Sequence, residues 1–320
     1  MQVIELTYPY AQEQIIEQDI VLALGFFDGL HRGHQKLIET AKHIAKQQGY
    51  LLAVMSFHQH PSVVLQNLPE QEVTYLSSLE RKTALLEQMG VDVFYVVEFT
   101  REFSSLLPQQ FVDEFIVGLH AKVVVAGFDY TYGKPSIASM EQLHQYAKER
   151  FAIVCIPEQK ENDEKISSTA IREALLNGNM QQANHLLGYA YQTQGTVVHG
   201  YKRGSKLLGY PTANVEVADA ILLPKVGVYA VRMLVHQQWY QGMASIGYNP
   251  TFGGEEHPVV EVNVFDFDEE IYEEEVVVEW RHYLRDEMKF DTVEALVVQL
   301  GEDKEQTLAF FEGENDDDTY

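Results

Sequence analysis

Residues 25–34 read GFFDGLHRGH, and this stretch decides the fold of the first half of the chain. It follows a short apolar run, IVLALG at 20–25. It opens a segment, 32–48, in which Leu37, Ile38, Ala41, Ile44 and Ala45 recur at helical spacing. A buried strand that stops at glycine and turns straight into a helix aims backbone N–H groups and the positive end of the helix dipole at an anion. His31 and His34 are three apart, so they share one face of the first turn. Two imidazoles there can donate hydrogen bonds to a phosphate that gains charge in a transition state. Gly29 and Gly33 let backbone and phosphate approach closely.

Outward from this motif the pattern repeats. Residues 51–57, 93–97, 122–127 and 151–157 are apolar and strand-like, while 79–89, 108–119 and 139–150 carry helical spacing. Strands this apolar imply a parallel sheet covered by helices on both faces. The polar stretch 158–165 reads as a surface loop, and two short helices are expected at 168–177 and 180–187. From Gly195 on, short alternating runs (226–236, 240–246, 259–267, 276–284) are separated by Gly, Pro and Asn, which predicts a small antiparallel barrel or sandwich. Helices are expected at 292–300 and 304–311, and the acidic tail EGENDDDTY (312–320) reads as disordered. The chain therefore divides into domains at 1–185 and 186–320.

Two further segments carry chemistry. ISSTAIR (166–172) precedes an amphipathic helix. Ser167, Ser168 and Thr169 can cap that helix and offer hydroxyls to phosphate, and Arg172 presents a fork of donors suited to phosphate oxygens. Capping alone also accounts for the hydroxyls. Residues 195–214 (GTVVHGYKRGSKLLGYPTAN) form a glycine-rich, basic loop that can cradle phosphates with Gly200, Lys206 and Gly209. The spacing is not that of a P-loop, and no Ser or Thr follows Lys206.

The formal net charge is −25 over 320 residues. Such a surface repels phosphate backbones and anionic lipid, so neither nucleic acid nor membrane is an expected partner. The lone cysteine, Cys155, excludes an intramolecular disulfide and fits a cytoplasmic protein. It is expected to be buried in its apolar run. No secretory leader and no spanning apolar run is read. Self-association is left open.

GFFDGLHRGH resembles the signature of the nucleotidyltransferase superfamily, in which the two histidines contact the ATP phosphates and a segment like ISSTAIR closes on them. With SFHQHP (56–61) and AGFDYTYG (126–133), the order resembles the prokaryotic riboflavin kinase/FAD synthetase family. The second half matches as well, in PTAN (211–214), PKVGVY (224–229), SIGYNPTFG (245–253), VEVNVFDF (260–267) and YLRDEMKF (283–290). The resemblance implies an α/β Rossmann-like nucleotidyltransferase domain, then a small antiparallel β-barrel riboflavin kinase domain with a C-terminal helix. It implies phosphorylation of riboflavin to FMN and adenylyl transfer to FMN, giving FAD, both from ATP with Mg²⁺. By residue, it implies ATP phosphate contacts from Gly25, Phe27, Asp28, Gly29 and Gly33. It also implies flavin contacts near His60, Pro61, Asp129 and Arg285, Mg²⁺ oxygens from Thr212 and Asn214, and a catalytic base at Glu261. Taken alone, Asp129 also fits a turn cap and Glu261 a solvent-facing strand residue. Gln59 stands where a proline is usual, and KPSIAS (134–139) lacks the glycine and second basic residue that often follow. A monofunctional adenylyltransferase and a non-catalytic flavin-binding regulator are the competing readings.

Overall fold

The apolar runs of the first half are strands with two buried faces, and their alternate residues serve two cores. In a computed structural model the protein is described at residues 1–69, 72–161, 164–199, 212–248 and 258–317, with backbone alone at 315–317. It forms two compact units, Met1–Ser168 and Thr169–Tyr320.

The first unit contains β1 (Gln2–Leu6), β2 (Ile20–Leu24), α1 (Arg32–Gln48), β3 (Leu51–Phe57), α2 (Pro61–Gln66), α3 (Leu79–Gln88), β4 (Val93–Val97), α4 (Arg101–Ser104), α5 (Pro108–Val112), β5 (Ala121–Gly127), α6 (Met140–Ala147) and β6 (Ala152–Ile156). A small hairpin of β7 (Lys160–Glu161) and β8 (Glu164–Lys165) follows, inside the stretch expected to be loop. The large sheet has the order β1-β4-β3-β2-β5-β6, with every pairing parallel. Ile20, Leu22 and Leu24 of β2 join one core and Val21 and Ala23 the other. That alternation is the period of a strand sandwiched between helices. The chain leaves β2 toward β3 and β4, then returns to lay β5 on the other side of β2. The carboxyl ends of β2 and β5 thus flank a topological switch point, where open α/β sheets bind ligands.

Besides that hairpin and the short helices α2 and α4, three further features differ from the sequence-based expectation. Strand β1 was not foreseen and pairs with β4 at the sheet edge. The helix expected over 108–119 is α5 followed by a wider π-type turn, Asp113–Val117. Cys155 is exposed rather than buried. It lies on β6, the other edge strand, where most residues are not fully covered. An apolar run does not reveal whether its strand is central or at an edge.

The second unit continues α7 (Ser168–Leu176) and adds α8 (Met180–Leu187), β9 (Tyr191–Val198), β10 (Ala213–Val217), β11 (Gly227–Val235), β12 (Gln238–Tyr248), β13 (Pro258–Val264), β14 (Glu275–Arg285) and α9 (Val293–Asp317). The strands close a barrel in the order β10-β13-β12-β11-β14-β9, every pair antiparallel. Tyr191, Tyr229 and Trp280 are fully buried. Their polar ends are satisfied: Tyr191 donates to the Leu222 carbonyl at 2.6 Å, Tyr229 to the Lys225 carbonyl, and Trp280 Nε1 to Thr193 Oγ1 at 3.0 Å. Large aromatics enter a core cheaply only on that condition. Asn184 of α8 ties the helix to the barrel, donating to the Trp280 carbonyl at 2.9 Å and accepting from the Tyr191 N–H at 2.8 Å.

The two helices expected near the C-terminus are one, α9, and it runs through Asp317 into the tail expected to be disordered. Gly301 in its interior costs about 1 kcal/mol relative to alanine. Asp303, Thr307 and Phe311, spaced by four, are buried along one stripe and offset that cost. Glu314 extends the stripe with an ion pair to Arg281 at 2.6 Å. Arg285 holds Asp303 bidentately, at 2.8 and 2.7 Å, and Asp303 is 0 % exposed. Removing one partner of a buried pair leaves the other uncompensated. Asp303→Ala is therefore expected to destabilise the barrel unit by about 3 kcal/mol, read as a lowered thermal midpoint. An unchanged midpoint would show that the pair does not hold α9.

Candidate active sites

The first site grows out of the end of β2. Phe27 adopts a left-handed conformation (φ 55°), as do Gly29 (φ 73°) and Leu30 (φ 39°), so the chain coils sharply between strand and helix. Conformations this unfavourable for Phe and Leu persist only where surroundings over-determine them. Here they do: Asp28 Oδ1 accepts from the Leu76 N–H at 2.8 Å, and Ser77 Oγ accepts from the Gly29 N–H at 3.1 Å. Ser168 Oγ donates to the Asp28 carbonyl at 3.1 Å. Ser168 of the ISSTAIR segment is thus brought against the histidine motif. Thr169 and Arg172 follow on α7, exposed and half-buried respectively.

His31 is the N-cap of α1, its Nδ1 accepting from the His34 N–H at 3.3 Å. That bond assigns the neutral ring its proton at Nε2, which is left to donate outward. The two imidazoles stack, with centroids 3.6 Å apart and 15° between planes. Burial pushes His31 down to about 4, with Lys165 adding to the shift and Asp129 opposing it. Burial, then His31, then Lys82 hold His34 well below the usual histidine range. Both rings are therefore neutral near pH 7 and available as hydrogen-bonding groups rather than as cations. His34 Nδ1 is buried without a hydrogen-bond partner. A Cβ on Gly33 would stand 3.1 Å from the His31 ring, so any larger residue there presses on the stacked pair.

The flavin candidates lie on neighbouring elements. His60 caps α2, with Pro61 at the first helical position, and its ring meets Phe26 edge-on at 5.0 Å. Its N–H donates to the Tyr75 hydroxyl at 3.0 Å. Asp129, just beyond β5, is exposed and pairs with Lys165 at 3.1 Å. Sequence reasoning missed Lys82, a lysine 4 % exposed whose ammonium donates to the Phe26 carbonyl at 2.9 Å. The available signal was a lysine on the apolar stripe of α3, one turn before Leu86.

The second site lies on the barrel wall. In β13, Val260 and Val262 are buried, and their neighbour Glu261 alternates to the opposite face, half-buried. Glu261 stands in register with Asn214 of β10 on one side and Ser245 of β12 on the other. Residues directly opposed across antiparallel strands hold their Cβ atoms about 5 Å apart. The expected base and one expected metal ligand are therefore neighbours, although far apart in sequence. Burial raises the Glu261 carboxyl above its ordinary value, and among the described residues it has no hydrogen-bond or ion-pair partner. A half-buried, unpaired carboxylate of this kind is suited to accept a proton. Thr212 precedes β10, half-buried and two residues before Asn214. Threonine hydroxyl and asparagine carbonyl oxygens are hard donors of the type Mg²⁺ favours. The Arg285 guanidinium is engaged by Asp303 and by the Asp286 carbonyl at 3.0 Å, so the residue anchors α9 to the end of β14. Gly200, Lys206 and Gly209 lie outside the described residues, as does 249–257 between β12 and β13.

A doubly wound sheet with paired histidines at its switch point, followed by a closed antiparallel barrel with a half-buried carboxylate on its wall, defines a nucleotidyl-transferring domain in tandem with a small-molecule kinase domain. Residues 13–170 match the FAD synthetase family model and 187–311 the riboflavin kinase model. The chain belongs to the bifunctional riboflavin kinase/FMN adenylyltransferase family, enzymes of FAD biosynthesis. The Listeria monocytogenes member is 48% identical, covering 97% of this chain and 98% of its own. The Bacillus subtilis member is 42% identical, covering 97% and 98%. A solved structure from Streptococcus pneumoniae, named a macrolide-efflux protein, is 38% identical with a TM-score of 0.87, over 95% of this chain and 98% of that one. Among the described residues, no helix here is long and apolar enough to cross a membrane.

Proposed function

We propose that Glu261 is the general base of riboflavin phosphorylation and that His31 and His34 are the phosphate donors of FMN adenylylation. The observation that carries this reading is the register of Glu261 against Asn214. It places a proton acceptor beside a hard oxygen donor, as transfer from MgATP to an alcohol requires. Thr212 and Asn214 would hold Mg²⁺, which supplies neutralising charge to the ATP phosphates. By the family resemblance of their segment, Gly200, Lys206 and Gly209 are assigned to ATP phosphate binding in phosphorylation. Arg285 shapes the flavin side by fixing α9.

In the other site the nucleophile is the FMN phosphate, already ionised at neutral pH. No base is needed, and positioning with charge stabilisation suffices. His31 Nε2–H, His34, Gly33 and the turn from Gly25 through Phe27, Asp28 and Gly29 face the ATP phosphates. Ser167, Ser168, Thr169 and Arg172 serve the same phosphates by continuity with the Ser168–Asp28 contact. His60, Pro61 and Asp129 border the flavin. On this reading the functional division falls at 185/186, where the sequence pattern changes from helix-covered strands to short alternating runs. The single cysteine fits a cytoplasmic enzyme, and the net charge of −25 favours ATP, riboflavin, FMN and FAD as partners over nucleic acid or membrane.

Incubation with riboflavin, ATP and magnesium, with flavins separated over time, tests the whole assignment. FMN is expected first and FAD after it. Conversion of added FMN to FAD without any FMN from riboflavin would confine the chain to adenylyl transfer.

A further inference from the structure

Lys82 has no part in the assignments above, yet it is the kind of residue that needs a reason. Its ammonium donates to the Phe26 carbonyl at 2.9 Å and to Ser56 Oγ at 3.3 Å, and lies 4.5 Å from the centre of the Phe26 ring. Ser56 Oγ donates to the same carbonyl at 2.7 Å. Among the described residues, no carboxylate stands within ion-pair distance of this ammonium. Burying an unpaired cation costs several kcal/mol, and a methionine would fill the same place on α3 without that cost. The residues leading into α3 grip the same structure. Tyr75 receives the His60 N–H, the Leu76 N–H meets Asp28, and Ser77 receives the Gly29 N–H.

We propose that Lys82 is a positioning residue for FMN adenylylation, acting from behind the 25–34 turn. Its ammonium fixes the Phe26 carbonyl against β3 and, while protonated, supplies a positive charge beneath His34, where the ATP phosphates bind. This rests on the assignment of His31 and His34 above. It explains how a chain of net charge −25 adds positive potential behind that turn, where the motif's own Arg32 is paired with Glu161. The titratable groups facing Lys82 are Asp28 of the turn and His34 of α1. Burial lowers the ammonium to about 8, with Asp28 opposing the shift. The charge is therefore present below that pH and lost above it.

The test uses the full chain and its Lys82→Met and Lys82→Arg variants, with kcat and KM for ATP measured in FMN adenylylation from neutral to alkaline pH. Riboflavin phosphorylation in the same samples serves as the control. In the wild type, kcat/KM for adenylylation should fall as pH rises through about 8, and phosphorylation should not share that limb. Lys82→Arg, which stays charged, should lose the limb while keeping activity. Lys82→Met should lose adenylylation by about 100-fold, mostly in kcat, with phosphorylation unchanged. Wild-type adenylylation by Lys82→Met, or an alkaline limb that Lys82→Arg leaves in place, overturns the proposal. If Lys82→Met does not fold, the wild-type profile still decides, since its lacking the limb overturns the proposal too. Histidine variants that retain adenylylation would instead remove the reading beneath it.

Discussion

Glu261→Gln is expected to slow riboflavin phosphorylation by roughly 10²–10⁴-fold while FMN adenylylation by the same chain proceeds at the wild-type rate. The primary alcohol of riboflavin is a weak nucleophile and must lose its proton as the phosphoryl group arrives. Glutamine keeps the size and polarity of the side chain, so β13 and its pairings with β10 and β12 are retained. What it lacks is a carboxylate to take the proton. The pH profile adds a second reading. Burial raises the Glu261 carboxyl above the ordinary value of about 4.3, so phosphorylation should rise with pH through an acid limb displaced upward. Adenylylation, which uses no base, should lack that limb. Measuring FMN from riboflavin and FAD from FMN in parallel checks both statements. Wild-type phosphorylation by Glu261→Gln would remove the carboxylate from the mechanism.

The second large effect belongs to the histidine pair. His31→Ala and His34→Ala are each expected to lower FAD formation by about 10²–10³-fold, the usual loss when a preorganised donor to developing charge is removed. FMN formation should be untouched, so FMN should accumulate from riboflavin. Because His31 is also the N-cap of α1, its alanine variant carries a stability cost of about 1 kcal/mol unrelated to chemistry. His31→Asn separates the two roles, since asparagine can still accept the His34 N–H. It should restore the thermal midpoint and leave FAD formation impaired. Recovery of both would mean that His31 acts only as a cap.

Much of the first site is legible in the linear chain because its signals are local. The strand-stop at Gly25, the i, i+3 histidines and the helical stripe beginning at Leu37 depend on residues within a few positions of each other. The kinase site is legible in part. Thr212, Asn214 and Glu261 stand in recognisable segments, but nothing in their spacing says that two of them are opposed across a pair of strands. Lys82 was not legible as part of a site, because a lysine on an amphipathic helix ordinarily marks the solvated face. Asp303 and Glu314 were hidden in the same way within acidic sequence, although their arginine partners hold α9 as one continuous helix.

Sequence by itself determined the type of the longer elements, the change from a helix-covered sheet to a barrel, and the residues of the 25–34 turn. These follow from hydrophobic period and turn chemistry, which act over one or two turns of chain. Tertiary structure alone decided the strand order that makes the end of β2 a switch point. It alone left β6 and Cys155 at an edge, and it alone closed the barrel so that Asn214 meets Glu261. Lys82 stays beneath the turn for the same kind of reason. Strand order, barrel closure and the burial of a charge are set by which surfaces exclude water together, and no local pattern encodes that choice.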